Sequence, residues 1–121
     1  MTYEGITYPS SEHAYQASKT LDYEERIIIA SIGRPSDAKR RGRQLKLRDD
    51  WESVKLDVMR RIVMNKFLEN KDLAELLIST GEEELVEVNT WGDTFWGVCD
   101  GKGENWLGKI LMSTRETLMV I

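Results

Sequence analysis

The sequence predicts a mainly helical α+β domain of about six helices, in which two to four short strands form a small antiparallel element. Three observations carry that expectation. Apolar residues recur at helical spacing from Trp51 to Phe67, where Trp51, Val54, Val58 and Ile62 form one line and Leu56, Met59, Val63 and Phe67 a neighbouring one. Short polar residues suited to helix caps, Ser10 or Ser11, Asp22, Asp49 or Asp50, and Asn105, stand just before segments of helical composition. The run Leu85–Trp91 is instead rich in β-branched residues with partial alternation, which favours a strand. A chain of 121 residues, 40% of them hydrophobic, suffices for one modest core, so residues 1–121 are expected to form a single domain.

Taken in order, Gly5–Pro9 alternates briefly and gives way to a helix from Ser10 or Ser11 to about Thr20, with Glu12 in the first turn, where the helix dipole favours an anion. Asp22 caps a second helix, Tyr23–Ser31, that stops at Gly33 in a left-handed position. Arg34-Pro35-Ser36-Asp37 starts a basic third helix that reaches about Leu45. The long fourth helix follows Asp49 or Asp50, and Asn70-Lys71-Asp72 interrupts it. A fifth spans Leu73–Ser79 and ends at Thr80-Gly81. Phe95–Cys99 reads as a second strand and Asp100–Gly103 as a turn. Asn105 then caps a last helix carrying Leu107, Ile110, Leu111, Thr114 and Leu118 on one side.

Composition narrows the chemistry. No apolar run approaches the roughly 18 residues of a membrane span, and Met1–Pro9 lacks the pattern of a secretory signal. A soluble, cytoplasmic protein is expected. Cys99 is the only cysteine and His13 the only histidine, which removes disulfides and zinc sites of nitrogen and sulfur ligands. No metal or cofactor is expected. The net charge is −4, yet six of the 17 basic residues, Lys39, Arg40, Arg41, Arg43, Lys46 and Arg48, fall within ten positions. Such a run is either a solvated helix face or a place where a phosphate or nucleic acid is attracted.

Three constellations remain as candidates. Glu12, Gln16 and Lys19, spaced by four and then three residues, project from one face of the first helix, either as ordinary surface or as an acid, amide and amine lining a pocket. Trp91-Gly92-Asp93-Thr94-Phe95-Trp96-Gly97 gathers three aromatic rings around one carboxylate, as core packing or as a place for a stacked base or sugar. Gly101–Asn105 precedes a helix, so it either caps that helix or presents N–H groups to a phosphate.

Together, Tyr8-Pro-Ser-Ser-Glu12-His13-Ala-Tyr15-Gln16-Ala-Ser-Lys19, Asp37–Arg43, Asp50-Trp51, the Met59–Phe67 helix, Asp93-Thr-Phe-Trp96-Gly97 and Gly103-Glu-Asn105-Trp-Leu-Gly108-Lys109 resemble the NADAR family, also called YbiA-like proteins. The blocks occur in the family's order over nearly the whole chain. Family members usually have a further aromatic- and asparagine-containing segment before Gly5, which this chain begins too late to contain in full.

The resemblance implies hydrolysis of the N-glycosidic bond between a ribose and a base or amine. Its substrates are phosphoribosylamine intermediates of riboflavin synthesis or ADP-ribose attached to guanine, free or within a nucleic acid. It implies Glu12, Lys19 and Asp93 as catalytic residues and Arg40, Arg43, Trp51, Trp96 and Asn105 as substrate-binding residues, to which the helical spacing adds Gln16. Asp93 is expected to stabilise the ribosyl cation or activate water, and Glu12 to orient Lys19 or exchange protons with it. Lys19 acts either as a cation or, once deprotonated, as a nucleophile at C1′. Trp51 and Trp96 stack, and Arg40 and Arg43 neutralise phosphate. Two other classes compete: a non-catalytic module that binds ADP-ribose or a related nucleotide, and a nucleic-acid-binding protein using residues 39–48, against which the negative total charge argues.

Overall fold

Short polar side chains open the first helices as their spacing predicts. The structure, a computed structural model, describes residues 1–121 and holds six helices and four two-residue strands, in two compact units, Met1–Glu69 and Asn70–Ile121. The expected mainly helical α+β architecture is borne out.

The first unit begins with β1 (Thr2–Tyr3) and β2 (Ile6–Thr7), an antiparallel pair joined at Glu4-Gly5. Both turn residues have positive φ, 48° and 81°, the geometry that matches a two-residue connection to the strand twist. Then come α1 (Ser11–Ala17), α2 (Tyr23–Ala30), α3 (Pro35–Arg43) and α4 (Trp51–Glu69). The Ser10 hydroxyl accepts the His13 N–H, and Asp22 accepts the N–H groups of Glu24 and Glu25. Pro35 opens α3, where its missing N–H costs nothing.

At seven residues α1 is too short to be stable alone, yet it is the centre of this unit, packed against α2, α3 and α4. His13 through Ala17 are all buried. His13, fully enclosed, accepts from or donates to the Ser10 hydroxyl through Nδ1 and reaches the Ile32 carbonyl through Nε2 at 2.8 Å, so the only histidine holds the frame. From α4 come Trp51, Val58 and Ile62, all buried and all in the first predicted line. From the second line only Val63 is buried, because one helix face suffices for a helix packed on one side.

Three boundaries differ from the sequence reading. α1 stops at Ala17, and Ser18, Lys19 and Thr20 leave the helix through tighter bonds, Lys19 N–H to Gln16 O and Thr20 N–H to Ala17 O. Gly33 has no left-handed backbone; α2 ends at Ala30, one residue short of the expected Ser31, which is its C-cap. The Asp50 carboxylate does not cap α4. It pairs with Arg48 through two bonds, Nε–Oδ1 at 2.6 Å and Nη2–Oδ2 at 3.0 Å, and the guanidinium holds the Asp50 carboxyl below its usual range.

The second unit holds α5 (Lys71–Ser79), β3 (Val88–Asn89), β4 (Val98–Cys99) and α6 (Trp106–Val120). α5 starts two residues earlier than expected and ends as expected, with Gly81 left-handed at φ 63°. Ile110, Thr114 and Leu118 form the buried stripe of α6. The strands shrink to two residues each and pair in parallel, Val88 with Val98 and Asn89 with Cys99, unlike the antiparallel first pair. Asn105 explains part of that contraction: its side-chain amide donates to Leu85 O at 2.9 Å and accepts Glu87 N–H at 2.9 Å. Backbone that a strand partner would have paired is satisfied by a side chain instead.

No helix is long and apolar enough to cross a membrane. Gly97 lies where β3 and β4 meet, and a methyl group there would overlap the Glu87 carboxylate and, less avoidably, the Glu87 main-chain carbonyl. Gly97→Ala should therefore destabilise the second unit by about 1–3 kcal/mol, the usual cost of overpacking, seen as a lowered melting temperature.

Candidate functional site

In the first unit the chemistry gathers on the turn that follows α1. Lys19 is the second residue beyond the helix, and main-chain clamps hold it on both sides of its peptide. The Arg48 N–H donates to Lys19 O at 2.8 Å, and the nearly buried Arg26 donates from Nε to Thr20 O at 2.9 Å. Arg26 also pairs with Glu4 on the β1–β2 turn at 3.0 Å, which ties the Lys19 turn to the hairpin.

The Lys19 side chain is half-buried, its ammonium 5.6 Å from the centre of the Tyr15 ring. Burial pushes its pKa down from 10.5; Glu12 opposes the shift, and Lys39 and Arg43 add to it. Glu12, seven residues earlier, therefore stabilises the charged amine, while the two cations from α3 disfavour it. Behind Lys19, Tyr15 packs on Trp51 with ring centres 5.3 Å apart and planes tilted by 58°.

The other sequence candidates in this unit fall in different places. Gln16 is only 3% exposed, its Oε1 has no hydrogen-bond partner, and it presses on Gly42 of α3, so that any side chain at 42 would overlap it. Gln16 is thus interior rather than on an open polar face. Trp51, expected to stack on a base, is buried at the start of α4. Arg40 is 71% exposed and paired with Asp37 at 3.5 Å, and Arg41 forms a two-bond pair with Glu25. Lys39 rather than Arg40 thus joins Arg43 in disfavouring the charged Lys19 amine. The sequence carried that signal, because Lys39 and Arg43 are four residues apart and share a face of α3.

The second unit builds a separate, tightly braced loop around Asp93. Asn89 Oδ1 accepts the Asp93 N–H at 3.0 Å and Nδ2 donates to Asp93 O at 2.8 Å. Asp93 in turn accepts the N–H groups of Phe95 and Trp96 on Oδ1 at 3.0 and 2.9 Å. This side-chain turn fixes one carboxylate oxygen and leaves Oδ2 with no donor from the protein. Phe95 and Trp96 meet edge to face, 4.8 Å between centres at 88°. Trp91, by contrast, is exposed.

The N–H groups before α6 that could have held a phosphate are already taken. Main-chain N–H groups of Glu104, Asn105, Trp106 and Leu107 donate to the carbonyls of Thr94, Gly97, Phe95 and Trp96 respectively. Asn105 sits at the cap position with left-handed backbone, φ 55°, and its side chain caps nothing, being spent on Leu85 and Glu87. The Asp100-Gly101 turn is formed by two positive φ values, with Cys99 and Lys102 exchanging both main-chain bonds. A cavity of about 630 Å³ beside α6, lined by Glu82, Lys109, Met112, Ser113, Arg115 and Glu116 among others, includes none of the candidate residues.

The family model described as the NADAR domain matches residues 1–119. N-glycosidase YbiA of Escherichia coli K12 is 43% identical over 120 residues, 97% of this chain and 74% of that protein. An N-glycosidase of Nostoc punctiforme is 44% identical over 113 residues, 88% of this chain and 72% of that protein. A riboflavin biosynthesis protein of Vibrio vulnificus is 43% identical over 98% of this chain but only 33% of its own length. The NMR structure of E. coli YbiA superposes with a TM-score of 0.87 at 42% identity, covering 97% of this chain and 71% of that one. The chain belongs to the NADAR family.

Proposed function

We propose that this protein is an N-glycosidase that hydrolyses the bond between C1′ of a ribose and the nitrogen of a base or amine. The observation that carries the chemical reading is Lys19: a half-buried amine on a turn clamped at two carbonyls, its charged form disfavoured by burial and by Lys39 and Arg43. The names of the relatives, N-glycosidase and riboflavin biosynthesis protein, support the same reaction class.

In the reaction the C1′–N electron pair leaves with the nitrogen, positive charge develops on the sugar, and water adds at C1′. Asp93 is assigned to the cation or to the attacking water, through the oxygen that the Phe95–Trp96 turn leaves uncommitted. Glu12 is assigned to Lys19, as its counter-charge and proton partner. Lys19 either protonates the departing nitrogen or displaces it at C1′ to form a covalent intermediate. Trp96 is assigned to stacking on the base or ribose, and Lys39 and Arg43, in preference to Arg40, to the phosphate.

The substrate is a phosphorylated N-riboside: a phosphoribosylamine precursor of riboflavin, or ADP-ribose on guanine. Incubating the protein with each compound and following the freed base by mass spectrometry tests the reading. Release from one of them is expected; tight binding of both with no release after long incubation would make the protein a binding module instead. Lys39→Ala and Arg43→Ala should each raise KM about tenfold while changing kcat little, since a lost charge-assisted phosphate bond weakens ground state and transition state alike. Arg40→Ala should raise KM less than Arg43→Ala, because its guanidinium is placed on Asp37.

A further inference from the structure

We propose that Asn89 is a positioning residue for Asp93, an inference that rests on the catalytic assignment of Asp93 made above. Asn89 is 4% exposed, and its main chain lies in β3, paired with Cys99 of β4. From that fixed base its amide grips one peptide unit from both sides, Oδ1 on Asp93 N–H and Nδ2 on Asp93 O. The amide orientation is unambiguous, because only an oxygen can accept the N–H and only the NH₂ can donate to the carbonyl. Nδ2 has a second proton, and Glu87 Oε2 takes it at 3.2 Å. The side chain thus makes three bonds and imitates the pairing of a neighbouring strand across the loop of residues 90–92.

Only asparagine meets these demands in this space. Aspartate has no donor for Asp93 O and would set a second negative charge beside Glu87. Glutamine is one methylene longer, in a place where Gly97 already lies too close to Asn89 Nδ2 to tolerate a methyl group. The consequence passes on to the reacting group. With the Asp93 backbone held, its Oδ1 bonds the N–H groups of Phe95 and Trp96, and Oδ2 is the one oxygen left for chemistry. Without Asn89 the loop from Thr90 to Gly92, which includes the left-handed Gly92 at φ 82°, keeps no side-chain tie to Asp93, and the carboxylate loses its fixed position.

The test is a double-mutant cycle. Asn89→Ala and the milder Asn89→Ser are placed in the native chain and in Asp93→Asn, and kcat and KM for base release are measured on the two N-ribosides named above, below the melting temperature of each variant. In the native background Asn89→Ala should lower kcat about 10²-fold, the scale expected when a catalytic group is displaced by about 1 Å, with KM changed by less than about threefold. Asn89→Ser should fall between the two. In the Asp93→Asn background the Asn89→Ala change should alter kcat by less than about twofold, since no carboxylate remains to be positioned. A native-like kcat for Asn89→Ala, or an undiminished loss in the Asp93→Asn background, overturns the inference. So does unfolding of both Asn89 variants at the assay temperature, which would make the residue structural. A native rate for Asp93→Asn instead overturns the assignment of Asp93, and no base release by the unaltered chain overturns the glycosidase reading itself.

Discussion

Lys19→Met is expected to remove base release, a loss of about 10²–10⁴-fold in kcat, the range spanned by acid–base groups, and at the same time to raise the melting temperature near neutral pH. Both effects come from one cause. The folded protein disfavours the charged amine, through burial first and then through Lys39 and Arg43, so its pKa lies below the ordinary 10.5. Below the folded-state pKa, native and unfolded chains both carry the proton, and the full cost of enclosing the charge weighs on the fold. As pH rises through that pKa toward 10.5 the native state sheds its proton first and the cost fades. The stability gain of Lys19→Met should therefore be largest near neutrality and shrink as the pH approaches 10.5, a trend that paired thermal melts would reveal. A melting temperature that falls at pH 7, together with retained turnover, would remove Lys19 from the site.

The same residue allows a chemical distinction. If Nζ displaces the base nitrogen at C1′, the sugar ring opens to a Schiff base, and borohydride reduces it to a stable secondary amine that adds the sugar's mass to the Lys19 peptide. Absence of that adduct with a substrate that is turned over favours the cationic role, in which Lys19→Arg should keep part of the rate. Glu12→Ala should slow the reaction if Lys19 acts as a cation, because its carboxylate opposes the downward shift of the amine, whereas in the covalent route the same change leaves the amine easier to deprotonate.

Asp93→Asn is expected to produce the second large effect, about 10²-fold or more in kcat at nearly unchanged stability. Asparagine keeps an oxygen in the position of Oδ1, so the N–H groups of Phe95 and Trp96 retain their acceptor. What it loses is the negative charge. Asp93→Ala loses both, and should also lower stability by about 1–3 kcal/mol, because the N–H groups of Phe95 and Trp96 lose the Asp93 Oδ1 acceptor in a half-buried loop. Equal rates in native protein and Asp93→Asn, measured by base release, would leave Asp93 as a turn former only.

Local rules accounted for much of this molecule. The Ser10 and Asp22 caps, Pro35 at the start of α3, the stripe of Trp51, Val58 and Ile62 and the left-handed Gly81 are each decided by a few neighbouring residues. Family membership was legible for a related reason, since blocks around Glu12, Lys19, Asp93 and Trp96 occur in order along the chain. Sequence spacing was less reliable where polar groups choose partners far away. It placed Lys19 within a helix that in fact ends at Ala17, because the carbonyls of Lys19 and Thr20 are claimed by Arg48 and Arg26. It made Asn105 a helix cap, although Leu85 and Glu87 take its amide. It singled out Arg40 and overlooked Lys39 and Asn89.

The sequence by itself determined which elements form and which family the chain joins, because caps, periodicity and ordered motifs act over a few residues. Only the tertiary structure decided how Lys19 and Asp93 are held. The main-chain groups around each are claimed by side chains and N–H groups up to 29 positions distant, as Arg48 is from Lys19, and such pairings exist only after the helices have packed.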